Sequence, residues 1–134
     1  MLYPFSVADP NALSDNNHSV VLRIIYGNRA FLLTGDIERQ AEADLINGGG
    51  TLAVDLIKAP HHGSRTSSTQ EFIDAIKPKY AIISVGRKSP FGHPHKEVVE
   101  RWRAAGVTVM TTGERGMISV STDGKDFTVD RYGK

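Results

Sequence analysis

The chain has 134 residues, 40% of them hydrophobic, enough for one compact domain with a core and too few to argue for two, so a single domain over residues 1–134 is expected. Sixteen Lys and Arg against fifteen Asp and Glu leave a formal charge of +1, which excludes a global field that recruits nucleic acid; any such attraction must be local. There is no cysteine, so disulfides and thiolate metal sites are excluded and any metal ligands must be His, Asp or Glu.

The opening MLYPFSVADP has neither the basic start nor the apolar run of a signal peptide. The longest apolar stretches, residues 30–33 and 81–85, fall far below the roughly 20 residues of a membrane-spanning helix, and a soluble chain is expected. After a polar, turn-rich segment over residues 9–17, residues 19–26 are rich in β-branched side chains, and Gly27-Asn28 turns the chain into residues 30–34, which predicts a β-hairpin. Ile37, Ala41 and Leu45 recur at helical spacing while Glu38, Arg39, Gln40 and Glu42 are expected to point outward, with Asn47 and Gly48 to Gly50 closing the helix. Residues 53–59 read as a strand ended by Pro60, which has no N–H for a ladder.

Ser68-Thr69-Gln70-Glu71 has the pattern of a capping box, opening a helix to about Ile76. Residues 79–85 read as a buried strand, 94–105 as a helix ended by Gly106, and 107–110 as a returning strand. Residues 116–120 and 126–130 form a second hairpin across Asp123-Gly124. Strands alternating with helices and flanked by hairpins predict an α/β layered domain with a mixed sheet.

Three apolar strands are each followed by residues fit to bind metal. Asp36 follows the strand at 30–34, His61 and His62 follow the strand at 53–59, and His93 lies in the loop after the strand at 79–85. Loops converge at the C-terminal edge of such sheets, so these residues can meet there. A carboxylate with imidazoles suits Zn²⁺, Mn²⁺ or Fe, and two ions held together polarise a phosphoryl oxygen and activate water. Each residue also has a plainer reading: Asp36 as the N-cap of the following helix, the histidines as surface or packing residues, and His95 as a cap beside a helix start. The run Arg65-Thr66-Ser67-Ser68 reads either as a solvated loop or as a phosphate holder. Lys58, Arg65, Arg87, Lys88 and Lys96 lie in or beside the same loops, a local basic patch suited to a phosphodiester or plain surface charge. Tyr26, Phe91 and Trp102 form no stacking series in the sequence, so single-strand binding by aromatic platforms is not expected from it.

Taken as a set, Asn16 to Leu22, Phe31-Leu32-Leu33-Thr34-Gly35-Asp36, Lys58-Ala59-Pro60-His61-His62-Gly63-Ser64, Phe91-Gly92-His93-Pro94 and Thr111-Thr112-Gly113 with Gly116 resemble the C-terminal half of the metallo-β-lactamase-like domain of ComEC-type competence proteins. The resemblance runs from about Leu2 to the end, and the combination is specific where Gly-Asp or His-Pro alone would not be. It implies part of an αββα sandwich with its active site at one sheet edge. It further implies a metal-dependent phosphodiesterase or nuclease linked to DNA uptake, with two Zn or Mn ions in the complete domain. Asp36 corresponds to the bridging carboxylate, and one histidine of the His61-His62 pair to a metal ligand, His61 being preferred. His93 and His62 are the catalytic candidates, and Ser64, Arg65 and Lys58 the candidates for holding substrate.

The family's first half carries a His-x-His-x-Asp-His motif, and none of the five histidines here, His18, His61, His62, His93 and His95, belongs to one. This chain alone is therefore expected to be an inactive part that holds no complete dinuclear site and possesses no metal of its own unless a half-site suffices. The implied partners are DNA or another phosphodiester, the N-terminal half of the domain, and a parent protein at the cell membrane. The alternative is a non-catalytic module that binds DNA or a protein. A half-sandwich also exposes apolar surface through which two chains would pair.

Overall fold

The computed structural model describes residues 1–4 and 15–132; most of the turn-rich opening read from the sequence lies outside the described residues. The first hairpin pairs β1 (Leu22–Tyr26) with β2 (Arg29–Leu33) antiparallel, Leu22 opposite Leu33 and Tyr26 opposite Arg29. The chain then alternates helix and strand: α1 (Arg39–Asn47), β3 (Leu56–Lys58), α2 (Gln70–Ile76), β4 (Tyr80–Ile83), α3 (Lys96–Ala104) and β5 (Thr108–Thr111). A one-turn helix, α4 (Thr112–Arg115), leads into the hairpin of β6 (Met117–Thr122) and β7 (Phe127–Tyr132). The main sheet runs β1-β2-β3-β4-β5, with β2 to β5 mutually parallel and β1 antiparallel at the edge, so the mixed sheet with flanking helices read from the sequence is present.

Register assigns the two faces. Leu32, Ile57 and Ala81 are aligned across β2, β3 and β4, and with Ala30 and Ile83 they are buried against Ala41 and Leu45 of α1, Phe72, Ile73 and Ile76 of α2, and Val98 and Trp102 of α3. This is the core, and Trp102, at 0% exposure, is its largest side chain. The opposite face carries Phe31, Leu56 and Tyr80, of which Phe31 and Tyr80 meet Phe127 of the second hairpin edge-on, both at 5.9 Å. Toward β1 that cover ends: Leu22, Ile24 and Leu33 share the face and are exposed.

Three local expectations are corrected. Helix α1 begins at Arg39 with Glu38 at its N-cap position, not at Ile37 with Asp36 as cap. The oxygen that the helix start needs comes from a distant residue: Asn17 Oδ1 accepts from the N–H groups of Glu38 (2.8 Å) and Ala41 (3.4 Å). Glu42, expected outward, is fully buried, and its carboxylate accepts from the N–H groups of Ser68 (2.6 Å) and Thr69 (2.9 Å). The capping box at Ser68 is consequently displaced: α2 is capped by Thr69, whose hydroxyl accepts from Phe72 N–H, while Glu71 is exposed. Long-range hydrogen bonds outcompeted the local ones because the 64–69 loop packs onto α1.

Candidate functional site

Because β2 to β5 run parallel, the segments after β2, β3 and β4 leave the sheet on one side. Leu33 is level with Lys58, Lys58 with Ile82, and Ile83 with Thr111, which brings Asp36, His61-His62 and the loop of His93 to a common edge, where parallel sheets gather ligand-binding groups.

The two histidines enter on a strained turn. Pro60–Gly63 forms one tight helical turn in which His61 (φ 48°) and His62 (φ 54°) are both left-handed, a conformation costing roughly 1–2 kcal/mol for each residue with a Cβ. The surroundings hold it: His61 N–H donates to the Gly35 carbonyl (3.2 Å), Ser64 N–H to that of His61 (2.9 Å), and His95 N–H to that of Gly63 (3.0 Å). Gly63 is required at φ 78°, since a Cβ there would sit 2.6 Å from Pro94 Cβ. Gly35, at φ 57°, lies against Ser19 in the same manner. Strain of this kind, held by its neighbours, concentrates at functional sites.

His62 Nδ1 lies 2.6 Å from the Ser84 carbonyl and must donate to it. In the neutral ring this leaves Nε2 as a bare acceptor, and it faces Asp36 Oδ1 at 3.5 Å. Two acceptors facing each other are suited to share a cation between them. His61 Nδ1 is near Thr66 Oγ1 (3.4 Å) and Glu38 Oε2 (3.9 Å). The His93 ring is centred 5.7 Å from His61, 6.5 Å from His62 and 5.0 Å from His95. Partial burial, followed by the neighbouring imidazoles of His95, His61 and His62, lowers the His93 pKa below its ordinary value, with Asp36 opposing; His93 is therefore neutral at neutral pH.

Lys58 donates Nζ to the Gly35 carbonyl at 3.0 Å; burial lowers its pKa, again opposed by Asp36. Ser64 is buried and bonded to Thr66 through its hydroxyl. Arg65 donates to His95 Nδ1 at 3.2 Å and approaches Glu97 at 3.5 Å, remaining mostly exposed. Of the other predicted cations, Lys96 faces Glu100 on α3, while Arg87 donates to the Gly113 carbonyl and Lys88 is exposed. The basic patch is thus present in the loops but diluted by Glu97 and Glu100.

Among the described residues no group of three or more His, Asp or Glu side chains is placed to hold a metal ion. Asp36 and the adjacent imidazoles have the chemistry of a carboxylate–histidine donor set, but by themselves they do not form a metal centre. The edge is an open shelf; a cleft of about 140 Å³ beside His93 is lined by Arg87, Thr111 and Glu114 among others. Larger clefts of about 460 and 470 Å³ lie elsewhere, one under the end of α2 and one between β5 and the second hairpin.

Sequence reasoning missed the residues that orient this edge. Ser19 Oγ accepts from Asp36 N–H at 3.1 Å, Asn17 anchors the start of α1, and Thr66, Glu38 and the Ser84 carbonyl hold the imidazoles. Asn17 and Ser19 lie within the first segment of the family resemblance, which was the one signal for them. No helix among the described residues is long and apolar enough to cross a membrane.

Comparison with known proteins identifies the family. The chain is 37% identical over 109 residues to ComE operon protein 3 of Bacillus subtilis, covering 81% of this chain and 14% of that protein. It is 37% identical over 107 residues to Competence protein ComA of Neisseria gonorrhoeae (79% and 16%) and 33% identical over 120 residues to Recombination protein 2 of Haemophilus influenzae (87% and 15%). The chain therefore spans about one seventh of the length of these curated relatives. A family model described as the Metallo-beta-lactamase superfamily matches residues 7–87, more than half of the chain, and the protein belongs to that superfamily.

Proposed function

We propose that the edge carrying Asp36, His61, His62 and His93 is one part of a metal-dependent phosphodiesterase site, of nuclease type, in a domain that serves DNA uptake. The observation that carries this reading is the pairing of His62 and Asp36: Nδ1 is fastened to a backbone carbonyl, so Nε2 and the carboxylate present two acceptors to one point. A ring nitrogen fixed by a carbonyl while the other faces outward is the usual arrangement of a metal-ligating histidine. On this reading Asp36 and His62 are donors, His61 beside them shares that work or acts on substrate, and the remaining ligands come from outside this chain. A bound divalent ion would supply Lewis acidity and an activated water. Neutral His93 accepts a proton beside the reacting phosphate, and Ser64, Arg65 and Lys58 orient that phosphate. The similarity to competence proteins supports the DNA-uptake setting.

Calorimetric titration of Mn²⁺ or Zn²⁺ into the chain, with circular dichroism to verify folding, tests this. Binding weakened by Asp36→Ala and by either His61→Ala or His62→Ala is expected, and the weaker of the two histidine variants identifies the ligand. Binding that survives Asp36→Ala unchanged removes the assignment. A second reading, a non-catalytic DNA- or protein-binding module, is favoured by the absence of a three-ligand group among the described residues. A folded chain that binds oligonucleotide and takes up no metal would support it.

A further inference from the structure

Phe91 is 76% exposed although it is a large aromatic residue. Most other exposed apolar side chains, such as Leu22, Ile24, Ile25 and Leu33, belong to the first hairpin. Phe91 instead stands at the histidine edge, in the loop between β4 and α3. Its ring is centred 5.9 Å from that of His93 and tilted by 35°, so one side rests on the site and the remainder faces solvent. The loop is built to hold it there: Phe91 N–H donates to Ser89 Oγ (3.3 Å), and Gly92 N–H to the Ser89 carbonyl (3.2 Å). Exposed Arg87 and Lys88 lie in the same loop, Arg87 Nε tied to the Gly113 carbonyl at 3.1 Å.

From these placements we infer that Phe91 is a stacking platform for a nucleobase, and that the substrate class of this edge is single-stranded nucleic acid. The inference rests on the phosphodiesterase reading and adds the strandedness to it. A bare aromatic face beside cations is the combination by which single strands are held without base-specific contacts, the cations following phosphates and the ring taking a base face. In a duplex the base faces are covered by their neighbours, whereas a single strand can turn a base onto Phe91 while the adjoining phosphate reaches His93 and His61. The His61 ring is 5.7 Å from that of His93, so the platform and the proposed chemistry are one ring apart, close enough for neighbouring parts of the same strand.

The test compares the whole chain and its Phe91→Ala and Phe91→Trp variants by fluorescence anisotropy, in chelator so that no cleavage intervenes. The probes are an end-labelled single-stranded DNA oligonucleotide and an abasic strand of equal length and phosphate count. Phe91→Ala is expected to weaken binding of the base-bearing strand roughly 5- to 100-fold and to leave the abasic strand unchanged. Phe91→Trp should retain affinity, and its added emission should be quenched by the base-bearing strand alone. Equal affinity of wild type and Phe91→Ala for the base-bearing strand, or equal loss on both strands, overturns the stacking role while leaving the phosphate reading standing. Failure of the wild type to bind either strand overturns both.

Discussion

At the scale of single residues, the edge depends on atoms whose positions are set by very few contacts. Gly63→Ala puts a Cβ 2.6 Å from Pro94 Cβ at a left-handed φ, so it should destabilise the chain by about 1–3 kcal/mol, read as a shift of the urea midpoint. Metal affinity should fall with it, because the His61-His62 turn hangs from the same glycine through the His95 N–H bond. Arg65 acts differently. It is exposed, and its partners are His95 Nδ1 and Glu97, so Arg65→Ala should leave metal binding and stability within error while weakening binding of an oligonucleotide. An unchanged oligonucleotide affinity would remove Arg65 from the substrate contacts. Asp36, the histidine pair, His93 and Arg65 were all legible as candidates from residue type and position after strands; the facing of His62 Nε2 toward Asp36 was not, since it depends on a carbonyl, at Ser84, 22 residues away in the chain.

At the scale of elements, the loop of residues 64–69 is locked to helix α1 by one buried carboxylate. Glu42 satisfies the N–H groups of Ser68 and Thr69, and Arg101 of α3 donates to the Ser68 carbonyl at 2.6 Å, so three elements meet at a residue held at φ 59°. Glu42→Ala should cost about 1–3 kcal/mol for each buried donor left unpaired, and the loss should spread to the Arg65 loop as faster hydrogen exchange. Burial raises the Glu42 pKa, opposed by the bonds from Thr69 and Ser68 and by Arg101. With the folded pKa above the unfolded one, folding takes up a proton. The contribution is therefore fully present below the ordinary carboxylate value and is lost as pH rises through the raised folded value. Urea midpoints from about pH 4 to about pH 7 should show this decline, and Glu42→Gln should flatten it. The helices and strands themselves were legible from periodicity; Glu42 was misread as outward because a helix wheel records the polarity of a side chain and not the donors that a distant loop presents to it.

At the scale of the molecule, the helix-covered face of the sheet is buried along β2 to β4 but leaves Ile25 of the edge strand β1 exposed, and the opposite face is covered in part. The second hairpin reaches Phe31 and Tyr80 through Phe127 and leaves Leu22, Ile24 and Leu33 exposed beside the edge strand β1. Two copies of the chain are expected to pair through this strip. Multi-angle light scattering of the chain should then report concentration-dependent dimers or larger species, shifted toward monomer by Ile24→Lys with no loss of the circular dichroism spectrum. A strict monomer at high concentration would exclude the pairing.

Apolar periodicity by itself determined the α/β class and the alternation of helix and strand, and the set of motifs between Asn16 and Gly116 carried the resemblance to the family, because each is a property of neighbours along the chain. The tertiary structure decided which caps form, that Glu42 is buried, how each imidazole is oriented, and that Phe91 stands exposed beside His93. Those outcomes depend on hydrogen bonds and contacts between residues far apart in sequence, such as Asn17 with Ala41 or Glu42 with Ser68, and these come into being when the parallel strands bring their loops to one edge.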